Sequence, residues 1–229
     1  MKKIIVNADD FGYRESINKG IVLAHKNGVV SSASLFVDRE GTDEAVGLAK
    51  ENPSLGMGIH LDLDRFFTVD HAMGVVTELI NADLEAVKGE IRRQIEKYLA
   101  FGFSADHVNS HHHAHLNAQL FPLVCAMAQE YKIPAIRFLC NHFVNDAECD
   151  RMRAIAQKHL LSFADHFIEG WYWGNVDEPF VVAELMTHPG YGELWREAEL
   201  AHCCQPPLKQ YFIDNKIDLL RFSDIYPQK

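Results

Sequence analysis

No stretch of this sequence approaches the roughly 18 consecutive apolar residues that a membrane-crossing helix requires, so no membrane span is expected. The start, Met1-Lys2-Lys3-Ile4-Ile5-Val6, has the charge and the first apolar residues of a signal peptide. That run ends at Asn7-Ala8-Asp9-Asp10, too early for an apolar region and with no cleavage pattern. A cytoplasmic location is the expectation. Proline-, glycine- or serine-rich linkers and internal repeats are also missing, which makes residues 1–229 a single domain. Cysteine is sparse. Cys125, Cys140, Cys149, Cys203 and Cys204 make an odd count with no CxxC spacing, so neither a zinc knuckle nor a disulfide framework is indicated and reduced thiols are expected. Positive charge is scarce as well: 22 Lys plus Arg against 32 Asp plus Glu leave a net charge of −10. With no basic stripe to offset it, this balance argues against a nucleic-acid partner.

What remains is an ordinary globular composition, 48% hydrophobic and 24% charged, with one excess. There are thirteen histidines, and four of them fall at His111, His112, His113 and His115. Short apolar runs alternate with helical patterns, as in β/α units around a mostly parallel sheet. The strands expected are Ile4–Asn7, Val30–Val37, Leu55–Leu63 and Asp106–His111, with further candidates at Ala135–Leu139, Ser162–Ile168, Val181–Thr187 and Asp218–Phe222. The helices expected are Glu15–Asn27 closed by Gly28 as a C-terminal cap, Thr42–Asn52 with Thr42 as N-cap, Leu84–Phe101 capped by Asp83, and Asn117–Tyr131 capped by Asn117. Residues 64–81 read as a long loop in which Phe66, Phe67 and His71 are either a substrate wall or plain surface. Seven or eight such units closing on themselves give an α/β fold, a single irregular (β/α) TIM-like barrel; an open sheet is the alternative.

The polar clusters lie at the C-terminal ends of strands: Asp9-Asp10, His60-Leu61-Asp62, His111 onward, and His188-Pro189-Gly190. In parallel β/α folds that rim is where sites are built. Adjacent carboxylates such as Asp9 and Asp10 point to opposite faces of a strand, so one site can use both only where the chain turns, which Phe11-Gly12 could supply. A divalent cation would relieve their repulsion, whereas a plain pair of helix-start carboxylates needs none. His60 alone would be an ordinary core histidine, and His188 alone a turn residue. In an extended chain His111, His113 and His115 share a face with His107 and Asn109; on a helix His111 and His115 would pair instead. Carboxylate and imidazole together suit Zn, Mn, Fe, Co or Ni, and Mg if waters complete the shell. Arg137 has two readings, a partner that orients Asp9 or a surface arginine, the commoner fate of that residue type.

The stretches Asn7-Ala8-Asp9-Asp10-Phe11-Gly12, Gly58-Ile59-His60-Leu61, Ser110-His111-His112-His113-Ala114-His115 and His188-Pro189-Gly190 resemble the YdjC-like family, which includes chitooligosaccharide deacetylases. The likeness extends to Arg196-Glu197-Ala198-Glu199-Leu200 and Ile217-Asp218-Leu219-Leu220-Arg221-Phe222. It implies an irregular (β/α) barrel and hydrolysis of the N-acetyl group of an amino sugar. It further implies that Asp10, His60 and His111 bind one divalent ion, magnesium or zinc ahead of other first-row metals. Asp9 is then the base and His188 the acid, and His113 and His115 lie behind the ligands or contact substrate. Two departures stand out. The family usually has Asp at the position of Asn109, and a Thr-rich loop containing Gly-Lys-Pro where this chain has Asp62-Leu63-Asp64-Arg65-Phe66-Phe67. They bear on the substrate more than on the chemistry.

The expected reaction is attack of a metal-activated water on an acetamide, with Asp9 taking a proton and His188 giving one to the departing amine. An ester or phosphoester substrate is the first alternative, although no Lys or Arg lies within the four clusters. A barrel that binds metal or sugar without turnover is the second. The expected partner is an N-acetylated sugar, and a homodimer is compatible with the sequence.

Overall fold

The structure, a computed structural model, describes residues 2–70, 74–80, 83–139, 145–169, 176 and 178–226. Its centre is a parallel sheet. The strands are β1 (Lys3–Phe11), β2 (Ser32–Leu35), β3 (Gly56–Leu61), β6 (Val108–Ser110), β7 (His166–Glu169), β8 (Val182–Thr187) and β9 (Asp218–Leu220). They run in the order β6-β3-β2-β1-β8-β7, with β9 beside the start of β1. Parallel bridges from Val108 to Ile136 and from Ala135 to Ser162 carry the pairing beyond β6 toward the chain that enters β7. The sheet is therefore a curled, barrel-like one, and residues 135–139 contribute bridges where a full strand was expected. β2 and β3 are buried at every position and β1 from Ile4 onward, as strands covered on both faces must be.

The helices are α1 (Glu15–Asn27), α2 (Thr42–Glu51), α3 (Leu84–Ala100), α4 (Phe121–Glu130), α5 (Asp146–Lys158), α6 (Leu194–Cys204) and α7 (Pro206–Asp214). Each buries one stripe. In α1 it is Ile17, Ile21 and Ala24, and in α3 Val87, Ile91, Ile95 and Tyr98, the spacing that puts side chains on one helical face. Asp83 caps α3 as expected, its carboxylate accepting from Glu85 N at 3.0 Å. Four local expectations change. Gly28 is not left-handed (φ −107, ψ −146); it is needed because a Cβ there would lie 2.4 Å from the carbonyl of Cys203 in α6. Thr42 is the first residue of α2 rather than its cap, and its hydroxyl donates to Phe36 O. α4 begins at Phe121, where Pro122 fits the first turn, while Asn117 organises the turn before it. The stretch expected as a loop holds a 3₁₀ turn (Asp64–Phe66) and an antiparallel hairpin, β4 (Phe67–Asp70) with β5 (Val75–Leu79). Phe67 is buried in that hairpin, so it walls no cavity, and His71 lies outside the described residues.

Cys125, Cys203 and Cys204 are free thiols, but Cys149 is disulfide-bonded to a partner outside the described residues. The expectation of reduced thiols is thus corrected at Cys149, because spacing along the chain does not tell which cysteines a fold brings together. No helix among the described residues is long and apolar enough to cross a membrane.

Candidate active site

The site begins with a fault in β1. Pairing with β2 shifts register between Ala8 and Phe11, and Asp10 takes a left-handed conformation (φ 67). Aspartate tolerates that region better than most residues. The turn expected at Phe11-Gly12 follows at once, with Tyr13 N donating to Asp10 O at 3.0 Å and Gly12 at φ 89, and together with the kink at Asp10 it brings two consecutive carboxylates to one place.

Asp9 faces inward and is heavily donated to. Its Oδ1 accepts from Asn7 Nδ2 at 2.9 Å, Ser34 Oγ at 2.9 Å, Asn109 Nδ2 at 3.1 Å and Arg137 Nη2 at 2.7 Å, while Oδ2 accepts from Arg137 Nη1 at 2.6 Å. Arg137 is fully buried, so the orienting reading holds and the surface one does not. Burial by itself would raise the Asp9 pKa, but the Arg137 charge and hydrogen bonds hold it far below the usual carboxylate range. Arg137 also donates through Nε to Glu184 Oε1 at 2.8 Å, so one guanidinium joins two buried carboxylates.

Asp10 faces the other way, toward imidazoles. Its Oδ1 is 3.4 Å from His60 Nε2 and 3.3 Å from His111 Nδ1, and Oδ2 accepts from Arg196 Nη2 at 2.6 Å. Burial opposes ionisation of Asp10, yet the two imidazoles pull its pKa well below normal. Asp10 Oδ1 and His60 Nε2 are buried without a hydrogen-bond partner. Unsatisfied buried polar atoms are rare and costly, and two of them converging on a third ligand atom mark a place for a cation. The spacing agrees. Bonds of about 2.1 Å in a tetrahedral shell set neighbouring donors about 3.4 Å apart. Asp10, His60 and His111 therefore fit a divalent ion, as a group of possible ligands within 4.8 Å of one another. Phe36 packs its edge on both histidine rings, at centroid distances of 4.6 and 5.3 Å, and fixes their planes.

The histidine run is neither strand nor α-helix. Residues His111–Leu116 form tight 3₁₀ turns interrupted by left-handed His112 and His113, which sends the four imidazoles to different places. His112 Nδ1 sits 2.9 Å from Asp64 Oδ2, and Asp64, His111 and His112 form a second, more exposed group of possible ligands. His113 lines the cavity and meets Phe167 edge-on at 5.9 Å; burial keeps its pKa well below the usual histidine value. His115 does not reach the cavity. Its ring nitrogens are taken by Ser110 Oγ at 2.7 Å and Arg137 O at 3.2 Å, and burial lowers its pKa to about 3. Of the two expected substrate contacts, only His113 has the position for one.

His188 stands at the end of β8 with its side chain 22% exposed, open to the same cavity. Burial disfavours its charged form, but Glu199 of α6, 3.6 Å from Nδ1, together with Asp10 and Asp9, raises its pKa. Glu199 is pinned by Thr187 Oγ1 at 2.8 Å and by the His188 backbone N–H. Sequence patterning missed Arg196, Glu199 and Ser34 as site residues. The first two lie about one helical turn apart on α6, within the stretch Arg196–Leu200 that shares the family likeness but is assigned no role by it. The cavity is about 610 Å³ and also takes in Tyr13, Glu169 and Trp195.

A sequence model of the YdjC-like proteins matches residues 3–214. The chain belongs to the YdjC-like family. It is 36% identical to a carbohydrate deacetylase of Brevibacillus brevis, over 97% of this chain and 99% of the relative. It is 31% identical to a carbohydrate deacetylase of Geobacillus stearothermophilus, over 97% of each. A crystal structure from Enterococcus faecalis, provisionally described as a cellobiose-phosphate cleavage protein, covers 99% of both chains with a TM-score of 0.80 and 24% identity. That likeness supports the fold of this YdjC-like protein and nothing further.

Proposed function

We propose that this YdjC-like protein is a metal-dependent carbohydrate deacetylase that hydrolyses the N-acetyl group of an amino sugar to amine and acetate. The carrying observation is the meeting of three possible ligand atoms, on Asp10, His60 and His111, the first two buried without a hydrogen-bond partner, with Asp9 and His188 around one cavity. Relatives named carbohydrate deacetylases at 30–36% identity over nearly the whole chain support the same reading. We further propose magnesium or zinc as the ion and a cytoplasmic location.

When bound, a divalent ion at this place would polarise the amide carbonyl and acidify a water. Asp9 remains a carboxylate at neutral pH. Its Oδ1 is filled by four donors, so Oδ2, which carries one, is the oxygen left to take a proton from water. The Arg137 fork keeps that oxygen aimed and prevents the carboxylate from turning toward the ligands. His188, protonated through Glu199, gives a proton to the amine, which is otherwise too basic to depart. Arg196 occupies Asp10 Oδ2 and leaves Oδ1 alone facing His60 and His111. Burial of the carboxylates in this wall strengthens each of these charge interactions relative to water.

A phosphoester substrate needs a free cation near the reacting centre. The fold does bring Arg137 and Arg196 to the site from outside the four polar clusters, but carboxylates already engage both. The test is release of acetate from a panel of N-acetylated sugars, nucleotide sugars and glycolipids, with metal supplied. Release of acetate from at least one supports the reading. Release of phosphate from a matched phosphoester panel, with no acetate from any sugar, would overturn it.

A further inference from the structure

Asn109 is completely buried between the two halves of the site, and the two ends of its amide face different partners. Strand register puts it there, since β3 and β6 pair His60 directly with Asn109. Oδ1 lies 2.7 Å from His60 Nδ1, and Nδ2 lies 3.1 Å from both Asp9 Oδ1 and Ser34 Oγ.

Donor and acceptor roles along this chain can be assigned in one way. An ionised Asp9 only accepts, so the Ser34 hydroxyl, 2.9 Å away, spends its single proton on Asp9. Ser34 Oγ is then an acceptor toward its remaining neighbours, Asn7 Nδ2 at 3.3 Å, Asn109 Nδ2 at 3.1 Å and, at 3.3 Å, His60 Nδ1, whose shorter contact is with Asn109 Oδ1 at 2.7 Å. Turning the Asn109 amide over would set its oxygen against two oxygens that offer it no proton. Nδ2 therefore points at Asp9 and Ser34, and Oδ1 is left for His60. An acceptor at that place requires the proton of His60 on Nδ1, which leaves the lone pair on Nε2, the atom directed at Asp10 and His111.

We propose that Asn109 is a positioning residue with two functions: its oxygen fixes the ligand tautomer of His60, and its nitrogen fixes Asp9. The proposal rests on the metal-dependent reading above. The Asp usual in the family at this position keeps the first function; in this chain, where Asp9 Oδ1 and Ser34 Oγ both take a donor from Asn109 Nδ2, a carboxylate loses the second, and an aliphatic side chain has neither.

The experiment compares wild type, Asn109→Asp and Asn109→Leu. Metal-free protein is titrated with Zn²⁺ against a chelator, and deacetylation is measured at saturating metal. Removal of the hydrogen bond behind a metal-binding histidine weakens the metal by about 10–100-fold. Asn109→Leu is expected to show that loss. Asn109→Asp keeps an acceptor for His60, so its Zn²⁺ affinity stays within a few-fold of wild type, while its kcat falls at least about tenfold because Asp9 has lost a donor and gained a repelling neighbour. This separation of affinity from rate is not produced by a merely structural role, which moves both together with thermal stability. Wild-type Zn²⁺ affinity in Asn109→Leu, or wild-type kcat in Asn109→Asp, would overturn the proposal. If Asn109→Leu does not fold, the near-isosteric Asn109→Asp decides alone. Wild-type protein that takes up no divalent ion defeats the metal reading itself, and is a different result from tight Zn²⁺ binding that Asn109 does not affect.

Discussion

The two terminal nitrogens of Arg137 meet the two oxygens of Asp9 at 2.6 and 2.7 Å, with the arginine wholly excluded from solvent. The same guanidinium holds Glu184, so three charged groups occupy the interior of the barrel below the rim. Such an arrangement is tolerated only while every member has its partner, because a lone buried charge is far costlier than a matched pair.

Arg137→Met should therefore lose about 3–5 kcal/mol of stability by leaving two buried carboxylates unpaired. For a chain of this size that is on the order of 10 °C in Tm. Arg137→Lys keeps the charge without the fork and should fall between. Denaturant unfolding measures both, and a loss below about 1 kcal/mol in Arg137→Met would show that the fork is not what holds this interior together.

The adjacent carboxylates should separate in function. Asp10→Asn, His60→Ala and His111→Ala should each reduce bound metal, which wild type should hold at close to one ion per chain. Asp9→Asn should keep the metal and lose rate on the order of 10²–10⁴-fold. Elemental analysis and steady-state kinetics on the same preparations check this. Equal loss of metal in Asp9→Asn and Asp10→Asn would mean that the two roles are wrongly divided.

At Gly28 the two explanations of a helix-ending glycine make opposite predictions. A left-handed cap would accept Asn better than Ala. The observed close approach to Cys203 O and Ala24 O penalises any side chain, and a larger one more. Gly28→Ala should cost about 1–3 kcal/mol and Gly28→Asn at least as much, with metal uptake unchanged. Thermal unfolding that ranks Asn above Ala restores the cap reading.

How far the sequence revealed this depends on whether a feature is local or long-range. Alternating apolar runs marked β1, β2, β3 and β8 and the helix Glu15–Asn27, because periodicity is written in neighbouring residues. The strand-end position of Asp9, Asp10, His60, His111 and His188 was readable for the same reason. Partnership was not. Arg137, Arg196 and Glu199 act on residues 128, 186 and 11 positions away, a distance no periodicity encodes. The histidine run misled in another way: left-handed His112 and His113 break both regular patterns, so no strand or helix template could sort its four rings. The hairpin of β4 and β5 reads as loop, because a register shift between Thr68 and Val69 breaks the regular alternation by which a strand is recognised.

The last prediction concerns His188 and Glu199. The raised pKa of His188 comes from Glu199 and the nearby aspartates acting against burial. A general acid works while protonated, so deacetylation should fall as pH rises through that raised pKa. Glu199→Gln removes the main source of the elevation, and the basic limb should move to lower pH. The stability linkage has the same sign. A histidine whose folded pKa exceeds its usual 6.5 stabilises the fold fully below 6.5 and loses that contribution as pH rises through the folded value. Glu199, lowered from its usual 4.5, contributes above 4.5 and loses its share as pH falls through its folded value. The pair thus acts fully between about 4.5 and 6.5, and Glu199→Gln should lose most stability in that window. Substrate chemistry gives an independent check. An amine leaving group needs a proton and an activated phenolate does not, so His188→Ala should slow an N-acetyl sugar far more than an aryl acetate, at unchanged metal content. If both substrates slow equally, His188 positions the substrate or supports the fold, and the proton comes from another group on the cavity wall, His113 being the nearest in kind.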